Sequence, residues 1–280
     1  MTAEAGGKKM KVIAIANQKG GCGKTTTAIN LAACLGHISQ RVLLIDMDAQ
    51  GHASLGFGKC GDELPTLYNV FAGQSGIRDV IVHDVHKNVD LIPGSMALIA
   101  AEHHLSDWSQ EEELARLIGP LDVTYDFIIL DCPPALGRLS VNALLASDEV
   151  IIPMEMSLFS LDGIERISET IEHLQARRGK SLPFKVLPTM VDNRTRLCRT
   201  FLRKIWERFP ESVLPVMIHQ TIKLKEAVCY SLPVWAYDSK SVAALDYMRL
   251  AEECVKATLP ISLREPIVNY STTEHHAVHM

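Results

Sequence analysis

The stretch KVIAIANQKGGCGKTTTAIN, from Lys11 to Asn30, leaves this chain little choice of fold. Val12, Ile13, Ala14 and Ile15 form an apolar run without polar alternation, the pattern of a strand buried on both faces of a parallel sheet. Gly20, Gly21 and Gly23 then let the backbone turn tightly and point successive amides inward, and Thr25 to Leu35 reads as the helix that follows. A nest of amides at a helix N-terminus binds phosphate. Lys24 and Thr25 complete a phosphate loop whose usual opening glycine is missing from the Asn17 to Lys19 region. In such a loop the Lys24 ammonium is expected on β- and γ-phosphates and the Thr25 hydroxyl on Mg²⁺.

Two further apolar runs end on carboxylates. RVLLIDMD, Arg41 to Asp48, delivers Asp46 and Asp48 to the carboxyl end of a second buried strand, where parallel α/β sheets place their ligands. YDFIILD, Tyr125 to Asp131, is a hydrophobic run ending on an aspartate, so Asp131 is expected in the water shell of the same Mg²⁺. Strands are also expected at Val89 to Gly94, Glu149 to Pro153 and Phe184 to Val191. Helices are expected at Thr66 to Phe71, Ser95 to Leu105, Glu111 to Ile118, Ser160 to Arg177 and Arg196 to Phe209. In Ser160 to Arg177 the apolar residues Leu161, Ile164, Ile167, Ile171 and Leu174 recur at helical spacing, which makes them core positions. The alternation predicts an α/β fold with a doubly wound, mostly parallel sheet flanked by helices.

At 280 residues with 47% hydrophobic content, the chain can bury one large core, read as a single domain over 11–258 with a flexible N-terminus at 1–10 and a disordered tail at 259–280. No run approaches the roughly 18 apolar residues of a membrane span, and MTAEAGGKKMK lacks the apolar core of a signal peptide. The expected location is the cytoplasm. Seven cysteines without C-x-x-C spacing favour reduced thiols over disulfides or zinc. His83, His86, His103 and His104 have no cysteine or carboxylate cluster at ligand spacing, so they read as solvated or packed side chains.

The net charge of −5 gives no global signal for nucleic acid, but charge is unevenly spread. From Asp192 to Lys225 there are eight Lys or Arg against three Asp or Glu, a local net of +5. At about 100° per residue, Leu197, Phe201, Leu202, Ile205 and Phe209 gather on one face of the helix and Arg196, Arg199 and Arg203 on the other. Such a patch can neutralise a phosphate backbone without reading bases.

KGGCGKTT resembles the deviant Walker A box of the ParA/MinD group of P-loop ATPases, and NQKGGCGKTTTAINLAACL is similar to its ParA (Soj) branch. The resemblance runs from about Lys11 to Thr258 and implies ATP and Mg²⁺ as cofactors, held by Lys19, Gly20, Gly21, Cys22, Gly23, Lys24, Thr25 and Thr26. It implies that Lys19 reaches across a sandwich dimer to the partner's ATP. DMDAQG resembles switch I, with Asp48 on the attacking water and Asp46 near Mg²⁺; DCPPALG resembles switch II, with Gly137 approaching the γ-phosphate. Asp192 to Thr195 falls where the family contacts adenine and the dimer interface, which nominates Asn193 for the nucleotide. Met154 to Phe159 departs from the family's polar and aromatic series. TIKLKEA resembles the family's N-V-R-L-S-E-A, which adds Lys223 and Lys225 to Arg196, Arg199 and Arg203 as DNA-binding candidates.

The implied function is an ATPase that forms an ATP-dependent dimer, binds double-stranded DNA non-specifically at the nucleoid and drives partition of chromosome, plasmid or another cargo. A ParB-like or other adaptor is implied as the stimulator of slow hydrolysis. Membrane association is not expected, because the tail lacks the basic amphipathic helix of MinD-type proteins. A positioning ATPase on a protein or membrane scaffold is the alternative. A metabolic or electron-transfer P-loop enzyme is a third class, though the cluster cysteines that the electron-transfer type needs after the switch regions are missing.

Overall fold

A computed structural model describes residues 9–59, 64–104, 112–121, 124–157 and 160–259. The expectations for 1–8 and for the tail from 260 onward lie outside the described residues, as do Leu105, Glu111 and Cys60. The phosphate-loop strand β1 (Lys11–Ile15) is central in a seven-stranded sheet. On one side lie β5 (Phe127–Asp131), β2 (Val42–Asp46), β4 (Val89–Ile92) and β3 (Val82–His86), in that order outward. On the other lie β6 (Glu149–Glu155) and β7 (Phe184–Thr189). Every pairing is parallel except that of β3 with β4.

Side chains alternate across a strand, and here both faces are apolar, so each central strand feeds two cores. Val12 and Ala14 of β1, Leu43 and Ile45 of β2, and Ile128 and Leu130 of β5 face one side. There they meet α5 (Glu113–Ile118), α6 (Arg138–Ala146), α7 (Ser160–Arg178) and α8 (Arg196–Arg208). Ile13, Ile15, Val42, Leu44, Phe127 and Ile129 face the other. That side is closed by α1 (Lys24–His37), α2 (His52–Gly56), α9 (Lys223–Cys229), α10 (Val234–Tyr237) and α11 (Val242–Lys256). Burial of each such Leu, Ile or Phe contributes about 1.5–3 kcal/mol. Two further short helices are α3 (Leu67–Phe71) and α4 (Leu98–His104).

Ile164, Ile167, Ile171 and Leu174 are buried on α7 as their spacing predicts, with Leu161 at the margin. On α8 the buried face is Cys198, Phe201 and Ile205, while Leu197 is 62% exposed. Leu197 sits at the edge of the apolar arc, about 80° from its centre, which is far enough to leave the core. Strand ends also differ from expectation. β7 stops at Thr189 because Met190 takes a positive φ of 53°. β6 runs through Pro153 to Glu155, and the Pro153 carbonyl accepts from Asn17 Nδ2 at 2.7 Å. β3 was not expected at all: VHDVH is too polar to read as a strand, and as the antiparallel edge it needs only one neighbour, with His83 Nδ1 2.8 Å from Asp90 Oδ2. No helix among the described residues is long and apolar enough to cross a membrane.

Candidate functional site

The loop between β1 and α1 closes on itself. Gly21 and Gly23 have φ of 74° and 96°, a region where an L side chain is strained, and Gly23 caps α1 with its carbonyl accepting from Thr27 N at 2.8 Å. Cys22 is buried; its thiol donates to the Lys19 carbonyl at 3.2 Å, and burial pushes its pKa up. Thr189, at the end of β7, donates its hydroxyl to the Cys22 carbonyl at 2.9 Å and so braces the loop from outside. The Lys24 side chain is buried and donates to the Lys19 carbonyl at 3.1 Å, folded over the loop it belongs to. Thr25 and Thr26 follow in the first turn of α1, and Gly20 is exposed.

Strand register assembles the carboxylates. β5 is paired with both β1 and β2, so Asp131 stands beside Ile15 on one side and beside Asp46 on the other. Asp46 is buried and satisfied: its Oδ2 accepts from Ser54 N at 2.8 Å and from the Ser54 hydroxyl at 2.7 Å, and its Oδ1 accepts from Asp48 N at 3.2 Å. Burial still raises its pKa to about 6. Asp131 is fully buried and neither carboxylate oxygen has a hydrogen bond. Burial first and the Asp46 charge second push its pKa well up; the nearby Thr25 hydroxyl offsets this only in part. Asp48 is half-buried at the mouth of the same site, with its Oδ1 accepting from Gln50 N at 3.0 Å.

Lys19 does not project from the chain. Its ammonium is 2.5 Å from Glu155 Oε2 and 2.9 Å from Ser157 Oγ, both in the segment that departs from the family pattern, and 3.3 Å from Ser160 Oγ just after it. Nor does Gly137 stand open. It precedes α6 at the point where a Cβ would meet the Glu102 carboxylate at 2.7 Å. Glu102 caps α6, accepting from Arg138 N at 2.8 Å and Leu139 N at 3.2 Å. A carboxylate there suits the positive end of the helix. Glu102 and Glu155 have no sequence signal of their own, since each works through a partner far away in the chain, and Ser54 has none because only the turn into α2 carries it back to Asp46 eight positions earlier.

A cavity of about 390 Å³ opens beside Gly23 and Thr26. Thr189, Met190, Ile218, His219, Leu224 and Tyr247 are among its walls. Asn193 is not among the lining residues; it is exposed and its Nδ2 lies 3.1 Å from His219 Nε2. Of the basic candidates, Arg196, Arg199 and Arg203 are exposed along one face of α8. Lys225 lines the cavity. Lys223 is engaged: its ammonium donates to Glu226 Oε2 at 2.8 Å and lies 5.6 Å from the Tyr237 ring, and the Glu226 contact raises its pKa.

Comparison with known proteins agrees with this geometry. A family model described as an AAA domain matches residues 10–184, and one described as cellulose biosynthesis protein BcsQ matches 168–255. The chain is 39% identical to the sporulation initiation inhibitor protein Soj of Bacillus subtilis over 87% of its own length and 97% of that protein. It is 36% identical to the chromosome-partitioning ATPase Soj of Treponema pallidum over 88% and 97%. Among solved structures it is similar to cobyrinic acid a,c-diamide synthase of Mycobacterium smegmatis with a bound ATP analog and magnesium, at a TM-score of 0.81, 30% identity, and coverage of 93% and 99%. A central phosphate loop on a mostly parallel sheet, with relatives matched along almost their whole length, means that the chain belongs to the ParA/MinD family of P-loop ATPases.

Proposed function

We propose that this protein binds and hydrolyses Mg·ATP, dimerises around it, and uses the cycle to bind non-specific DNA and position a chromosome, plasmid or other cargo in the cytoplasm, at the nucleoid. The observation that carries the nucleotide reading is Asp131, a fully buried carboxylate without a hydrogen bond, register-paired with a second buried carboxylate beside the phosphate loop. An arrangement that costly fits a divalent cation. Thr25, Asp46 and Asp131 would hold Mg²⁺, which when bound supplies charge neutralisation to the phosphoryl oxygens. The loop amides from Gly20 to Thr26 bind the phosphates, and Lys24 moves from the Lys19 carbonyl onto them. Asp48, at the mouth of the site, orients the attacking water.

Dimerisation requires Lys19 to leave Glu155 for the partner's nucleotide, and it doubles the number of basic faces presented to DNA. Partition is favoured over a small-molecule synthase because the two Soj relatives above are the more similar in sequence, at 39% and 36% against 30%. A ParB-like adaptor would stimulate hydrolysis. The test is binding of Asp48→Ala protein to random-sequence duplex DNA with ATP, with ADP and without nucleotide, across a salt series. Binding with ATP alone, weakening steeply with salt, is expected. No binding in any state would transfer the scaffold to a protein or membrane surface, and unchanged ATP affinity in Lys24→Ala would overturn the site itself.

A further inference from the structure

The cavity beside Gly23 and Thr26 holds one arrangement that phosphate chemistry does not use. Asp246, on α11, has a side chain only 3% exposed, and its Oδ2 accepts twice from one residue: from His219 N at 3.0 Å and from His219 Nδ1 at 2.8 Å. An ionised carboxylate only accepts, so Nδ1 carries the proton. Nε2 is then an acceptor, consistent with the Asn193 Nδ2 donor 3.1 Å away. The Asp246 contact selects the Nδ1-protonated tautomer of the neutral ring, and His219 is anchored by its backbone as well as its ring. Met190, Ile218, Leu224 and Val228 offer apolar surface that cannot tell one base from another, and Gln220 and Lys225 are exposed.

We propose that His219 is a specificity-determining residue for the base. Held as an acceptor by Asp246, its Nε2 takes a hydrogen from the exocyclic amino group of a 6-amino purine nucleotide, displacing the exposed Asn193 amide, and disfavours a 6-oxo purine. This rests on the nucleotide reading given above. A 6-oxo base turns a lone pair toward Nε2 and replaces the lost Asn193 hydrogen bond with nothing, and a site built to accept a hydrogen bond rejects a ligand that cannot donate one.

The discriminating ligand is purine riboside triphosphate, which is ATP without the 6-amino group. Affinities of ATP, purine riboside triphosphate and GTP for the full chain with Mg²⁺ would be measured for wild type, His219→Leu, His219→Gln and Lys24→Ala. Wild type is expected to bind ATP about five- to tenfold tighter than the analogue, the size of one neutral hydrogen bond. His219→Leu should bind both with the analogue's affinity. His219→Gln should regain part of the difference, because one amide can donate to Asp246 while accepting from the base. Equal wild-type affinities for ATP and the analogue, or a preference that survives in His219→Leu, would overturn the proposal and leave the phosphate site standing. Wild type binding none of the three, or Lys24→Ala binding them like wild type, would instead sink the nucleotide reading and this proposal with it.

Discussion

At the residue scale, two buried carboxylates stand side by side at the ends of β2 and β5. Asp46 is satisfied by Ser54 yet its pKa is still raised to about 6 from 3.8, so the folded state holds its proton more tightly than the unfolded chain. That contribution to stability is fully present below about pH 4 and is lost as pH rises through 6, worth about 3 kcal/mol in all. Asp46→Asn keeps an oxygen for Ser54 and removes the charge. In urea unfolding without nucleotide or divalent ion, it should gain on wild type by a few kcal/mol between pH 4.5 and 7.5. Parallel stability curves for the two proteins would show that the charge carries no such cost. Both aspartates were legible as strand-end carboxylates; Ser54 was not, because a serine eight residues past Asp46 announces nothing until α2 brings it back.

At the element scale, the loop between β1 and α1 is tethered through its Lys19 end. Lys19 is tied to the end of β6 and the start of α7 through Glu155, Ser157 and Ser160. The Lys19 and Glu155 side chains are 30% and 38% exposed, so solvent screens the pair to roughly 0.2–1 kcal/mol. Glu155→Gln should therefore let the ATP-dependent dimer form at protein concentrations lower by about 1.4- to 5-fold per protomer released, while Lys19→Ala should bind ATP and stay monomeric. Light scattering against concentration measures both; an unchanged midpoint in Glu155→Gln means the tether does not oppose dimerisation. Sequence pattern located β1, the loop and α1 because local periodicity encodes them. It could not locate the tether, which joins residues 136 positions apart.

At the scale of the whole molecule, an acidic protein carries a basic face, and the fold decides which of its charges are available. Arg196, Arg199 and Arg203 line the solvent side of α8, since Cys198, Phe201 and Ile205 take the other side into the core. Lys223 instead lies against Glu226 and the Tyr237 ring. If DNA lies on this face, Arg199→Ala with Arg203→Ala should lower the magnitude of the salt slope of ATP-dependent binding by about 2 per protomer engaged, and Lys223→Ala by well under 1. A Lys223→Ala slope change as large as that of the double variant would place the contact on α9 instead.

The chain by itself determined the phosphate loop, the two aspartate-ended strands and the α/β order, because each is written in contiguous residues whose periodicity and turn chemistry act locally. Tertiary structure alone decided that Asp131 lies beside Asp46, that Lys19 folds onto Glu155, that Lys223 lies over Tyr237 and that His219 lines a cavity with Asp246 at its Nδ1. The long-range members of that set depend on strand register and helix packing between distant segments, where burial removes water and turns a neighbour's charge or lone pair into the deciding term.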